Sequence, residues 1–333
     1  GDNIFVACQG FVDTPARMLW FSKQEGFLGV IQLGEDASYM PRYFSIQSYE
    51  DMVLWGAANY PSSDPRFGEI THGLVGFTIS SISSEPNTET GYYTIDLETL
   101  YHVPGFVVST DVVFHEGNAF FGQEYSGTEL IGIGGPGAAY DPPMEVICVN
   151  TETWQQVWRD QTILSVAPNM IHIYEDYLYH ASGVGMGLRN MTDGMEVYEE
   201  FTIPLLIDGL VIEGGFAYGS CGGPVEPPGN VHCFNIETGE YRWHYLLEGS
   251  GTLGTNPQVH NGYVYVAVHN GIYVLDADNG SLVGVDQYLH GPMGQHGNTL
   301  RYGNNMICYD TINQRLISFE MDVHERDKLF GIF

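Results

Sequence analysis

The sequence predicts an all-β chain, a seven-bladed β-propeller of four-stranded antiparallel blades forming one domain over residues 1–333. Three observations carry the prediction. A nine-residue pattern of apolar strand and polar turn recurs seven times. A strand precedes each copy, and another follows it. Finally, 42 glycines stand beside 22 tyrosines and 17 phenylalanines, the composition of many short strands joined by tight turns.

The copies are MLWFSKQEG (18–26), YYTIDLETL (92–100), VICVNTETW (146–154), MGLRNMTDG (186–194), VHCFNIETG (231–239), IYVLDADNG (272–280) and MICYDTINQ (306–314). Apolar residues fill most of the first four positions, as in a strand buried on both faces. Position five is Ser22, Asp96, Asn150, Asn190, Asn235, Asp276 or Asp310, each able to cap a turn by bonding the backbone two residues on. Position nine is glycine in four copies, where such a turn takes a positive φ.

Upstream strands are read at NIFVAC (3–8), DMVLWGAA (51–58), NAFFGQ (118–123), DYLYHA (176–181), GFAYGSC (215–221) and GYVYVAVH (262–269). Downstream strands include YRWHYLL (241–247) and RLISFEM (315–321), and innermost strands include PQVH (257–260) and NMIHI (169–173). The expected blades are 1–38, 39–106, 107–160, 161–204, 205–249, 250–291 and 292–333, a period that fits propeller blades. Blade 1 lacks its innermost strand. The tail KLFGIF (328–333), or the strand before it, is expected to complete that sheet and remove a free edge.

The stretches VYVAVHNGIYVLDADNGSLVG (264–284) and IETGEYRW (236–243), with Trp158 and Trp243 after their turns, resemble the PQQ-type propeller repeat. That repeat is shared by quinoprotein dehydrogenases and by a bacterial outer-membrane assembly lipoprotein. The resemblance implies the fold. The quinone-site residues do not follow it: there is no adjacent cysteine pair, and 11 basic residues are scattered singly where a tricarboxylate needs a cluster. No cofactor and no metal are expected.

Charge narrows the partners. Forty-one acidic residues against 11 basic ones give −30, which repels phosphate backbones and disfavours nucleic acid. No apolar run is long enough to insert in a membrane as a helix. An acidic surface and a chain opening on Gly1 rather than Met lead to an expected extracellular or secretory location. Five cysteines argue against a disulfide scaffold; Cys221 and Cys233, flanking CGGPVEPPGN (221–230), are the one candidate bridge, with two small buried thiols as the alternative. Asn190 and Asn279 head glycosylation sequons on turns.

Unequal loops locate the candidate site. In a four-stranded blade the loop between strands two and three shares an end with the blade-to-blade connection. These loops are expected at QGFVDTPAR (9–17) in blade 1, from Asn59 to Gly91 in blade 2 and from Glu124 to Glu145 in blade 3. Loops of such length are commonly functional. Binding candidates are Tyr60, Asp64, Arg66 and Glu69 in blade 2, with Glu129 and Tyr140 in blade 3. Catalytic candidates are His72, Tyr125, His290 and His296, the last two in YLHGPMGQHGN (288–298). Aromatic walls with a few ionisable groups suit a small molecule. The competing reading is that these side chains only cover blade ends.

Three functions remain open. The first is a secreted propeller binding a small neutral or cationic, aromatic or apolar ligand. The second is a cofactor-independent lyase, isomerase or cyclase, such as a natural-product pericyclase, in which a His or Tyr polarises a substrate held in reactive shape. The third is a protein-interaction scaffold.

Overall fold

The computed structural model of the chain describes residues 2–8, 16–34, 46–57, 73–104, 106–125, 144–161, 168–182, 185–202, 207–221, 231–247, 257–268, 271–286, 300–310 and 315–321. Two compact units emerge, residues 1–171 with 191–195, and residues 172–190 with 196–333.

In the first unit, β1 (Asn3–Cys8), β2 (Ala16–Ser22) and β3 (Gly26–Leu33) form one sheet. Four strands, β4 (Gln47–Tyr49), β5 (Met52–Gly56), β6 (Leu74–Thr78) and β7 (Glu98–Tyr101), form the next. The third contains β8 (Phe106–Val108), β9 (Val113–His115), β10 (Asn118–Tyr125), β11 (Met144–Asn150) and β12 (Gln156–Gln161). Its innermost strand is broken in two: β8 and β9 both pair with β10, separated by buried Ser109, Thr110 and Asp111.

The second unit holds most of the sheet β13 (Pro168–Tyr174), β14 (Tyr177–Ser182), β15 (Gly185–Asn190) and β16 (Glu196–Thr202). Then come β17 (Ile207–Glu213), β18 (Phe216–Cys221), β19 (Val231–Asn235) and β20 (Tyr241–Tyr245). The following sheet is β21 (Gln258–His260), β22 (Tyr263–Val268), β23 (Gly271–Asp276) and β24 (Leu282–Asp286). Last are β25 (Leu300–Tyr302), β26 (Asn305–Asp310) and β27 (Arg315–Glu320). Among the described residues the ladders are antiparallel and, β8–β10 apart, join chain neighbours.

The expected seven four-stranded blades are corrected by this topology. Among the described residues four sheets have four strands, one has five, and those at the two ends of the chain have three. Four-stranded blades therefore fall short of seven among the described residues. The tail expected to complete blade 1 lies outside the described residues.

The turn chemistry follows from single side chains. Asn150 Oδ1 accepts from the backbone N–H of Glu152 and Thr153, Asn235 from Glu237 and Thr238, and Asp276 from Asp278 and Asn279. Ser22 Oγ does the same toward Gln24 and Glu25. Each bond satisfies donors that the reversal leaves without a strand partner.

Blade 2 departs from the expected pattern. Its turn is capped by Asn87, which accepts from Glu89 and Thr90, with Gly91 at φ +72°; Asp96 does not fill that role. Strand β6 lies inside the expected loop 59–91, so only the part before Gly73 joins strands two and three. The remainder, with a 3-10 turn at Ile79–Ser81, belongs to the opposite end of the blade. It folds back onto the first sheet: Tyr93 N–H donates to the Val30 carbonyl, and Gln32 N–H donates to the Tyr93 carbonyl. Tyr93 packs edge-on to Trp20 at 5.5 Å and occupies the space a Gly29 side chain would need. The outer edge of β3 is thus covered by its neighbour's excursion, which disposes of an aggregation-prone edge.

Candidate functional site

The joint between the β4–β7 and β8–β12 sheets changes character along its length. Alternate residues of a strand share a face, so Ala119, Phe121 and Gln123 of β10 point one way, as do Glu145, Ile147 and Val149 of β11. At the turn end this face is apolar: Ala119, Phe121, Ile147 and Val149 pack with Leu54, Leu74 and Leu100 of the neighbouring sheet. At the loop end it becomes polar. Gln123 and Glu145 are register partners, and Gln123 Nε2 donates to Glu145 Oε2 at 2.6 Å. Glu145 is only 4% exposed.

Arg159 stands opposite Ile147 on β12, on the same face, and its Nε lies 3.9 Å from Glu145 Oε1. Tyr101 of the neighbouring sheet donates its hydroxyl to Gln156 Oε1 at 2.9 Å, and Gln156 stands opposite Val149, nearer the turn end. Burial pushes the Tyr101 phenol up; Arg159 pulls it down and Glu145 pushes it up further. The next residue, His102, has its imidazole pKa lowered by burial, and its Nδ1 has no hydrogen-bond partner among the described residues. A buried carboxylate, a short amide bond and a loosely held guanidinium thus stand together on this face of the β8–β12 sheet.

Two other polar groups are sealed. In the β13–β16 sheet Arg189 Nε donates to His180 Nε2 at 3.2 Å, and both side chains are buried. Burial, aided by the Arg189 charge, drives His180 down to about 3. In the β17–β20 sheet buried His232 faces His244 across the ladder, ring centroids 6.2 Å apart.

The sequence-expected residues Tyr60, Asp64, Arg66, Glu69, His72, Glu129, Tyr140, His290 and His296 lie outside the described residues. Tyr125 ends β10, but its side chain also lies outside them. Cys233 is a free, buried thiol in register with Tyr218, while Cys221 stands opposite Ile207. The candidate bridge is therefore corrected: the two cysteines are offset along adjacent strands, too far for a disulfide to span. Asn279 is exposed on its turn, and Asn190 ends β15. Gln123, Glu145 and Arg159 were missed. Their signal was present, since Gln123 and Glu145 interrupt the apolar register of strands otherwise buried on that face.

A tricarboxylate quinone, which the repeat suggests, does not fit the described residues. The four arginines whose side chains are described stand on different sheets with separate partners: Arg17 over Tyr92, Arg159 by Glu145, Arg189 on His180 and Arg242 on Asp278. No group of three or more metal-binding side chains occurs among them.

No family model matches the chain, and no curated protein matches it. Solved structures do. BamB from Moraxella catarrhalis is similar over 98% of this chain and 81% of its own, at 16% identity and a TM-score of 0.56. A europium-containing methanol dehydrogenase is similar over 93% of this chain and 71% of its own, at 10% identity and a TM-score of 0.58. The computationally designed protein Ika8 is similar over 93% of this chain and 82% of its own, at 11% identity and a TM-score of 0.50. At these identities the likeness concerns the fold alone. The fold they share with this chain is that of a β-propeller.

Proposed function

We propose that the chain is a secreted ligand-binding propeller without a quinone, and that its site lies at the loop end of the joint between the β4–β7 and β8–β12 sheets. The ligand is a small neutral or cationic molecule. The observation that supports this reading is Glu145, a carboxylate 4% exposed and held by Gln123 between neighbouring strands of the sheet. Burying a charge is costly, and a strand whose other inward positions are Ile147 and Val149 has no packing need for one. A net charge of −30 adds a field that concentrates cations and repels anions.

A fragment screen followed by calorimetry tests the reading, with amines, neutral aromatics and carboxylates matched in size. Amines and neutral aromatics are expected to dominate the hits and to weaken at least tenfold in Glu145→Gln. Hits dominated by carboxylates, or hits indifferent to Glu145→Gln, would place the site elsewhere.

A further inference from the structure

We infer that Glu145 is the receptor for a cationic group, an alkylammonium or guanidinium, and that Arg159 is the resident cation it displaces. The inference rests on the ligand-binding reading above and specifies its chemistry. An ionised carboxylate offers about four acceptor sites, yet Glu145 receives one short bond, from Gln123 to Oε2. Its other oxygen has Arg159 Nε at 3.9 Å, an attraction too long to be a hydrogen bond. The pair is half-made.

The two partners differ in what leaving would cost. Glu145 has a side chain 6% exposed and is fixed by its strand, whereas the Arg159 side chain is 47% exposed on the outermost strand. A half-exposed guanidinium swings into water with little loss, since exposed ion pairs contribute little. A ligand cation reaching Oε1 at charge-assisted hydrogen-bond distance, about 2.8 Å, makes the contact that Arg159 leaves unmade. Tyr101 of the facing sheet packs edge-on to Phe121 at 5.6 Å, two residues from Gln123 on the same face of β10, which supplies an aromatic surface for the cation's carbon stem.

Removing the resident cation tests the idea on the full chain without knowing the natural ligand. Arg159→Ala would be titrated with ethylguanidinium chloride and with its neutral isostere N-ethylurea, by calorimetry at fixed ionic strength. Ethylguanidinium is expected to bind Arg159→Ala at least tenfold tighter than the wild type, N-ethylurea to bind neither, and Glu145→Gln/Arg159→Ala to lose the effect. Arg159→Gln, which keeps the stem, should behave as Arg159→Ala does. Equal binding of the two probes, or binding that survives loss of Glu145, overturns the inference. If screen hits still depend on Glu145 while the ethylguanidinium effect is absent, the ligand-binding reading stands and displacement of Arg159 falls.

Discussion

The indole of Trp243 lies flat on Gly280. Its Nε1 donates to the Ala277 carbonyl at 2.9 Å, and a Cβ on Gly280 would sit 2.6 Å from the ring. Trp158 stands in the same relation to Gly194, whose Cβ would meet the ring at 2.5 Å, and bonds the Met191 carbonyl at 2.8 Å. Glycine at position nine thus answers two demands, a positive φ and a flat seat for a neighbouring tryptophan.

Separating those demands gives the first prediction. Gly262 has φ +80° with nothing near its missing Cβ, whereas Gly280 has φ +71° and the Trp243 ring against it. Gly262→Ala should cost only the left-handed backbone penalty, about 1–2 kcal/mol. Gly280→Ala adds overpacking of roughly 1–3 kcal/mol. Urea denaturation of the two variants checks the difference. Equal losses would mean that the Trp243 seat contributes nothing.

Thiol chemistry gives the second. Burial pushes both Cys148 and Cys233 up to about 12, so neither forms a thiolate at neutral pH, and thiolate is the reactive form. Alkylation by iodoacetamide at pH 8, resolved by peptide mass spectrometry, should leave both unmodified in the native protein and label both in 6 M guanidinium. Native labelling of Cys233 at the unfolded rate would contradict its burial.

The third concerns acid. His180 titrates at about 3 when folded against its ordinary 6.5, because it is buried beside Arg189. The folded state therefore refuses a proton that the unfolded state accepts. Stability is intact above about pH 6.5 and declines as the pH falls toward 3, by about 2 kcal/mol between pH 7 and pH 5. Burial lowers His172 and His102 as well, which steepens the same decline. The diagnostic is thus the comparison with His180→Gln, whose stability should fall about 2 kcal/mol less over that interval. Parallel slopes for the two proteins would remove His180 as the cause.

Periodicity made the strands legible. NIFVAC (3–8) is β1 residue for residue, and the Asn235 and Asp276 turns close through the side chains expected of them. Blade 2 shows where the pattern fails. NTETG (87–91) carries the same signal as NIETG (235–239), but eight residues separate it from the short strand LVGFT (74–78), so the repeat aligns better at Asp96 on sequence alone. The strand count of each sheet was not legible either, because a strand that pairs only at its edge has no inward-outward alternation to display. The candidate site was half-legible. Long loops pointed to blades 2 and 3, but the buried pair Gln123 and Glu145 belongs to strands, where a polar residue in an apolar register is easily read as a solvent-facing one.

Trp154 supplies the last prediction. It occupies position nine, where four other copies carry glycine, and adopts φ +53°, with its N–H bonded to the Asn150 carbonyl at 2.8 Å. A bulky residue in the left-handed region is strained by about 1–2 kcal/mol, and its persistence requires compensation. The compensation is packing: the half-buried indole lies against the cluster of Leu54, Leu100 and Phe121, at a joint where strand β7 provides no tryptophan to its neighbour. Trp154→Ala keeps the strained backbone and loses the ring, whereas Trp154→Gly loses the ring but relieves the strain. Both variants should be less stable than the wild type, with glycine the milder by roughly 1 kcal/mol, the reverse of the order in an ordinary helix or strand. Paired urea midpoints decide it: alanine equal to or better than glycine would show that the turn does not hold residue 154 in the left-handed conformation.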